Sequence, residues 1–427
     1  MRSLRNNTLL VLGLIISVFI VYYPVLSHGF LYQWDDYWQI LNTYTYNGIT
    51  PDNLNHIFSD FYMGQYSPLN QFFYTVTYEL FGSLPFPFHL INLCWHIGFV
   101  LLVFVFVKKI LLLCKVADQS FTMWVAFIVA LLAGIHPVQT EPVAWLSASK
   151  IVLQGFFFMG GLVCYLIFLQ KSQNRYYLLT LGSYLLAFLC KEQAVVFPVS
   201  LLVIDYAVGR NLKSKRVWME KAPFFMLSLF FGLVTLLSFS QAARNTMNGA
   251  KTYSIAHRFI FMGYSLTEYI TKLVLPIKLM FIYPFPIQYD EAIPLRFYIY
   301  PLSLLGLAIL LWKGRQKRIL IFGSLFFISQ LLLMLHIIPI PRPTITADRY
   351  LYSACIGFFS IVVYYLLQWG RTLSKTGRTI LAGLSVAIIV ALGAYSNYYC
   401  RRWANDAILK EKLRELIEQR TTNKNEY

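Results

Sequence analysis

The sequence predicts an all-α integral membrane protein with about eleven transmembrane helices, and three observations predict it. Of the 427 residues, 58% are hydrophobic and only 13% are charged, about half the charged share of an average soluble chain. The apolar residues fall into repeated runs of roughly fifteen to twenty, the length a helix needs to cross a bilayer. Basic residues gather in alternate loops, as the positive-inside bias requires of a multi-pass chain. The net charge of +17 therefore speaks to topology, and no nucleic-acid partner is expected. The six cysteines show neither CxxC spacing nor clustering, which excludes a disulfide framework and a zinc site at the level of sequence.

The elements follow in order. Residues 9–26 are apolar behind Arg2 and Arg5, and Val25-Leu-Ser-His offers no small-residue cleavage site, so the run reads as an uncleaved first span with a cytoplasmic N-terminus. Further spans are expected near 89–107, 119–135, 151–169, 176–190, 194–208, 223–240, 297–312, 319–338, 350–368 and 379–396. Segment 257–282 is apolar, but it carries Glu268, Lys272, Pro276 and Lys278. If it does not cross, just over half of the 36 Lys and Arg fall in cytoplasmic loops; one crossing would send the clusters at 313–318 and 371–378 outside. It is therefore expected as an amphipathic or re-entrant exterior helix, with Glu268 and Lys272 one turn apart and Pro276 interrupting it. The first loop, 27–88, has no Lys or Arg and holds Asp35, Asp36, Asp52, Asp60 and Glu79, so it too is expected outside, with amphipathic or re-entrant helices of its own. The chain thus divides into a membrane domain over 1–396, which includes the exterior loops 27–88 and 241–296, and an exterior amphipathic tail over 397–427. In that tail Ile408, Leu409, Leu413, Leu416 and Ile417 share one helical face, opposite Lys410/Glu411 and Arg414/Glu418.

Ionisable groups at a membrane face are costly to bury and mark candidate sites. Here they collect on the expected exterior side. Asp35 and Asp36, flanked by Trp34 and Tyr37, supply a general base, grip a metal, or stand as a solvated loop pair; a close carboxylate pair has one pKa raised, which suits a base near neutrality. His136 and Glu141 end the third span and Lys150 begins the fourth. His136 alone would serve as a helix cap. Lys191-Glu192 lies between two short apolar stretches that draw it beneath the surface, either as a neutralised structural pair or as a lysine held for an anion. Arg342 and Asp348-Arg349 flank the tenth span. Several cations at one face, with no glycine-rich nucleotide loop, point to a phosphate carried on a lipid. His89, Asn92 and His96 share one face of the second span, which favours interhelical hydrogen bonding over metal ligation. Asp205, near the cytoplasmic end of its span, reads as structural.

Taken in sequence, Tyr32-Gln-Trp-Asp-Asp, Ser67-Pro-Leu-Asn, Leu80-Phe-Gly and His89-Leu-Ile-Asn-Leu-Cys-Trp-His precede His136-Pro-x-x-x-Glu-x-Val-Ala-Trp. Lys150, Lys191-Glu-Gln, Pro198, Asp205-Tyr, Arg349-Tyr-Leu-Tyr and Gly357 follow. Each motif is weak, but the ordered series is specific. It resembles the polytopic GT-C glycosyltransferases, in particular the TMTC-like (transmembrane and TPR-containing) branch and its bacterial relatives. Two departures stand out: Ala148-Ser-Lys-Ile replaces the Glu-Arg-Lys-Asp usual in the bacterial relatives, and Ala354-Cys355 replaces a Pro-Ser type pair. The TPR array of the longer members is not in this sequence.

The resemblance implies a mannosyltransferase-like enzyme that moves a sugar from a polyprenyl-phosphate donor to an acceptor hydroxyl, with protein glycosylation as one outcome. The acceptor would be a protein, a lipid or a glycan. It implies Asp36 or Asp35 as the base, with Asp36 slightly favoured because it lies further from the first span. Lys150, Lys191, Arg349 and Arg342 would hold the leaving phosphate, and His136, Glu141, Glu192, Trp34 and His89 would shape the substrate site. No cofactor is required; a divalent metal, if used, would sit on Asp35 and Asp36. The implied location is the bacterial inner membrane, with the site facing the periplasm or exterior. A flippase or transporter of lipid-linked sugars is the competing reading, but it should place its charges at the midplane and often carries an internal repeat.

Overall fold

The structure is a computed structural model that describes residues 2–115, 118–245, 253–277, 279–287, 291–314, 316–337, 344–411 and 414–415. Among these residues there is no strand; two isolated bridges, Tyr62 with Gln65 and Tyr283 with Thr346, are the only β pairings. The chain opens with α1 (Arg2–Tyr22), which a 3₁₀ turn over Tyr23–Ser27 extends.

Four short helices build the first loop: α2 (Asp36–Gln39), α3 (Thr43–Tyr46), α4 (Pro51–Ser59) and α5 (Pro68–Phe81). Local chemistry sets their starts. The side chain of Asn42 accepts from the Thr45 amide and that of Thr50 from the Asn53 amide, while Pro51 and Pro68 occupy first-turn positions where a missing N–H costs nothing. A small apolar core of Phe30, Ile40, Leu41, Tyr74, Phe88 and Leu146 holds this loop against the bundle.

The bundle continues with α6 (Pro85–Leu113), α7 (Gln119–Ile135), the short α8 (Thr140–Ala144) and α9 (Ser149–Lys171). Then come α10 (Asn174–Cys190), α11 (Phe197–Ala207), α12 (Lys215–Asn245) and α13 (Ile255–Val274). The last four are α14 (Pro301–Lys313), α15 (Arg318–Leu331), α16 (Leu351–Gly370) and α17 (Lys375–Cys400). The central packing runs α10 on α9, α9 on α6, α6 on α7, α7 on α16 and α16 on α15, with α1 against α6, α7 and α17. Helices α15 and α16 meet backbone to backbone at Gly323 and Gly357, where a Cβ on either residue would collide with the other's carbonyl oxygen. Small residues allow this close approach where apolar burial gives helices no drive to associate in lipid.

A helix occupies each of the eleven expected spans, but the number long enough to cross is lower. Among the described residues, seven are long and apolar enough: Asn7–Ser27, Pro85–Leu113, Leu146–Lys171, Lys215–Ser238, Leu295–Lys313, Asp348–Gly370 and Lys375–Trp403. The pair Gln119–Ile135 and Pro137–Ala144, bent by 52°, makes an eighth if it is one span. The segments expected at 176–190, 194–208 and 319–338 form α10, α11 and α15, of 17, 11 and 14 residues. These are shorter than the roughly 20 a straight crossing needs. The reason is local: extended backbone at Lys191 and a 3₁₀ turn over Glu192–Val196 separate α10 from α11, and α15 tightens into 3₁₀ at Leu332–Met334.

Segment 257–282 forms most of α13 followed by non-helical chain over 275–277, and α13 is not among the candidate spans. Its Lys272 does not turn to Glu268 but pairs with Asp348 at 3.2 Å. The boundary drawn at 396 falls inside α17, because the aromatic stretch up to Tyr399 stays helical and packed. Beyond it, Trp403 and Leu409 are buried, Ile408 is half-buried, and Lys410 and Glu411 are exposed. Leu413, Leu416, Ile417 and Glu418 lie outside the described residues. The tail lies on the first loop: the Gly29 amide donates to the Ala404 carbonyl at 3.0 Å, and the Gln33 amide reaches the Asp406 carboxylate at 3.2 Å. Loop and tail therefore share one end of the bundle.

Candidate functional site

The α8–α9 junction gathers the ionisable residues of that end. Its anchor is Asp36, the first residue of α2 and 1% exposed. One carboxylate oxygen accepts the Leu31 amide at 2.8 Å; the other accepts the Ser147 amide at 3.1 Å and also the Ser147 hydroxyl. Burial pushes the Asp36 pKa up to about 6, against the pull of these donors and with a small further push from the Asp35 charge. Tyr74 completes the clamp: its hydroxyl donates to the Leu146 carbonyl at 2.7 Å and lies 2.6 Å from the Ser149 hydroxyl. The acidic loop is thus fastened to the start of α9 through Asp36.

Asp35 faces the other way and is half-buried. One of its oxygens accepts the Trp38 indole N–H at 3.1 Å, and the other takes no hydrogen bond among the described residues. Lys150, in the first turn of α9 and buried, donates to the side-chain oxygens of Gln39 at 3.0 Å and Gln65 at 2.5 Å. Among the described residues, no carboxylate forms an ion pair with it. Lys191, Glu192, Arg349 and Asp35 all lie within electrostatic reach of the Lys150 ammonium. The structure therefore brings together residues from four separate parts of the sequence.

Two charge clamps border this group. The buried Glu141 holds Arg349 at both its amide (2.8 Å) and its guanidinium, and the Arg349 guanidinium stands 5.6 Å from the Trp145 ring centroid. Next to it, Asp348 accepts the Tyr283 hydroxyl at 2.8 Å and pairs with Lys272, which also reaches Thr346 at 3.3 Å. A cavity of about 290 Å³ opens beside that second clamp, lined by Glu268, Thr271, Lys272 and Tyr283 among others.

The remaining expected residues are placed as follows. Trp34 packs edge-on against Trp145, which itself stacks on Trp403. His136 is buried at the turn after α7, where Nδ1 accepts the Val138 amide at 3.4 Å, so it caps that turn and stands apart from Lys150. His89 packs edge-on against His28, away from the cation group. Its helical neighbours make the interhelical bonds their spacing implies: Asn92 donates to the Pro142 and Val143 carbonyls, and His96 bonds Tyr352 and the Gly134 carbonyl. Arg342 lies outside the described residues. Among the described residues, no three His, Cys, Asp or Glu side chains converge as metal ligands.

Sequence reasoning missed Ser147, Gln39, Gln65 and the Lys272–Asp348 pair. Ser147 stands three residues before Lys150 and Gln39 three after Asp36, spacings that place them one helical turn from a residue already singled out. Gln65 and Lys272 arrive from distant segments and leave no local signal.

No family model matches the chain. Among curated proteins it is 28% identical over 200 residues to the human "Protein O-mannosyl-transferase TMTC2", covering 45% of this chain and 22% of that protein. To the Caenorhabditis elegans "Protein O-mannosyl-transferase F38B6.6" it is 26% identical over 296 residues, covering 66% of this chain and 40% of the relative. To the Drosophila melanogaster "Protein O-mannosyl-transferase Tmtc3" it is 29% identical over 166 residues, covering 35% and 18%. The chain is thus TMTC-like, and the match spans less than half the length of these relatives.

Proposed function

We propose that this TMTC-like membrane protein transfers a sugar from a polyprenyl-phosphate donor to an acceptor hydroxyl, a protein serine or threonine first among the acceptors, at the exterior membrane face. The relatives' names support a glycosyltransferase acting on proteins, and a mannosyl donor in particular. One observation carries the reading: the buried Lys150 lies within electrostatic reach of the half-buried carboxylate of Asp35 and also of Lys191 and Arg349.

The chemistry follows from that pairing. Asp35 takes the proton of the acceptor hydroxyl as its oxygen attacks the anomeric carbon. The bond from that carbon to the phosphate oxygen breaks, and the ring passes through an oxocarbenium-like state. Negative charge that accumulates on the leaving phosphate falls to Lys150, with Lys191 and Arg349 alongside. Asp36 is assigned to positioning rather than proton transfer, because both its oxygens are engaged by Leu31 and Ser147 and it is closed to solvent. Geometry outranks its favourable pKa here. Were a divalent metal used, Asp35 would offer it the accessible oxygen of the pair. The aromatic rings of Trp34 and Trp145 would border the sugar.

The test is incubation of membranes bearing the parent or Asp35→Asn with labelled polyprenyl-phosphate mannose and a serine/threonine-rich acceptor peptide. Label on the peptide with the parent alone supports the reading. Label that crosses the bilayer still on its lipid would favour the transporter instead.

A further inference from the structure

A groove of about 870 Å³ runs along the membrane-facing side of α7, α16 and α17, well apart from Asp35 and Lys150. Its walls are apolar for most of their length, with Trp124, Leu132, Val362, Leu381 and Ile389 among them. Helix α17 gives little of itself to the protein, since only 11% of its apolar window is buried. Charge enters the lining at one end alone, where α16 hands over to α17, as Arg371 and Arg378. At the opposite end the polar group is His136.

The two arginines are exposed at the groove mouth and tethered there by local contacts. The Arg371 guanidinium lies 4.2 Å from the centroid of Phe121, itself a groove residue, and bonds the exposed Asp118 at 2.7 Å. Arg378 donates to the Leu373 carbonyl at 3.0 Å and the Arg371 carbonyl at 2.8 Å, and its remaining N–H groups take no further hydrogen bond among the described residues. Lys375 adds a third cation between them, against the single carboxylate of Asp118. A guanidinium on an aromatic wall, with long apolar walls behind it, matches a lipid whose anionic phosphate sits at the turn and whose acyl chain enters the groove.

We propose that this groove is a selective site for an anionic phospholipid of the bilayer, with the headgroup phosphate on Arg371 and Arg378 and an acyl chain between α7, α16 and α17. A polyprenyl-phosphate donor fits less well. Its phosphate would have to lie at the far end, where the groove lining among the described residues holds no cation. The assignment does not depend on the transfer reaction.

The test uses full-length protein in nanodiscs of phosphatidylcholine doped with phosphatidylglycerol, with retained lipid identified by native mass spectrometry after mild detergent release. Each arginine near an anionic headgroup contributes about a 5-fold preference, so the parent should retain phosphatidylglycerol about 25-fold over phosphatidylcholine. Arg371→Ala/Arg378→Ala should abolish the preference, Arg371→Lys/Arg378→Lys should keep most of it, and Ser385→Phe should expel the lipid by filling the groove. If the double alanine variant does not fold, Arg371→Gln and Arg378→Gln carry the test singly, each expected to lose about 5-fold. Equal retention of the two lipids by the parent would overturn the proposal. So would a preference that survives loss of both arginines, or displacement of phosphatidylglycerol by polyprenyl phosphate regardless of those arginines.

Discussion

Helix α9 carries a charged cluster at each end, and the two are built differently. Toward its C-terminus, Tyr165 donates to Asp205 at 2.5 Å. Asp205 also pairs with Lys221 at 2.5 Å and with Arg210 at 3.1 Å, and Arg210 goes on to Glu220 at 2.7 Å. Asp205 and Lys221 are fully buried. Asp205 and Glu220 thus close on Lys221 and Arg210, and the exposed Arg216 adds a weaker contact to Glu220 at 3.4 Å. At the N-terminus, roughly 22 Å away at 1.5 Å per residue, Lys150 is satisfied by two neutral amides and Asp35 by one indole. Charges there are stabilised without being neutralised. Such an arrangement leaves the Coulomb attraction of the cation available to an incoming phosphate, whereas a closed network has already used it.

The sharpest way to break this contrast is to remove one partner from each kind of cluster. Asp205→Ala takes from the fully buried Lys221 its close carboxylate while Arg210 keeps Glu220, and losing one side of a buried ion network costs about 3–5 kcal/mol. The expected outcome is a large fall in folded yield and thermal stability in detergent, read by size exclusion and a melting curve. A variant that folds like the parent would remove the structural half of the contrast.

Lys150→Gln should behave in the opposite way. The amide keeps hydrogen bonds to Gln39 and Gln65 but loses the charge, so melting should hardly move. Binding of a polyprenyl-phosphate donor should weaken by about 10–150-fold, the range for a lost charged hydrogen bond of about 1.5–3 kcal/mol. Arg349→Ala sharpens the comparison, because it also leaves Glu141 buried without its cation and should lower both donor binding and stability. Calorimetry and melting on the same preparations separate the two.

Gly357→Leu acts on the frame rather than on either cluster. It forces a side chain into the backbone contact with Gly323 and should cost about 1–3 kcal/mol, as overpacking does. Melting temperature should fall while the donor affinity of the folded fraction stays within a few-fold of the parent's. A collapse of affinity would mean that the α15–α16 contact positions the site directly.

The smallest expected effect is in pH dependence. The Asp36 carboxyl has its folded pKa raised from 3.8 to about 6 by burial, so the native state holds that proton more tightly than the unfolded chain does. Stability from this group is therefore fully present below about pH 4 and is lost as pH rises toward 6. Subtracting the stability profile of Asp36→Asn from that of the parent should show a decline across this window on top of a constant offset from altered hydrogen bonds. A flat difference would mean that Asp36 is not desolvated as described.

Much of this was legible in the sequence, and the physical reason differs by residue. Helix positions follow from apolar runs, which depend on local composition and need no tertiary information. The crossing count does not, because whether 176–190 or 194–208 spans the bilayer turns on one extended residue, Lys191, and the 3₁₀ turn after it. The gathering of Asp35, Lys150, Lys191 and Arg349 at one end follows from their common place at the ends of apolar runs. The division of labour between Asp35 and Asp36 is invisible at that level. Adjacent residues on a tight turn point in different directions, and it took the Ser147 amide and hydroxyl, distant in the chain, to claim Asp36. Lys272 shows the same limit: helical spacing offers it Glu268, but the fold gives it the better-buried Asp348.

The most direct test of the account is a side-by-side assay of Asp35→Asn and Asp36→Asn for sugar transfer, donor binding and melting temperature. Asp35→Asn is expected to fold and bind donor like the parent but to lose transfer by about 10²–10⁴-fold, the range for removing a general base. Asp36→Asn should lower melting temperature and retain part of its turnover in the folded fraction. Full transfer by Asp35→Asn would contradict the central claim that the un-neutralised end of α9 is where the reaction occurs.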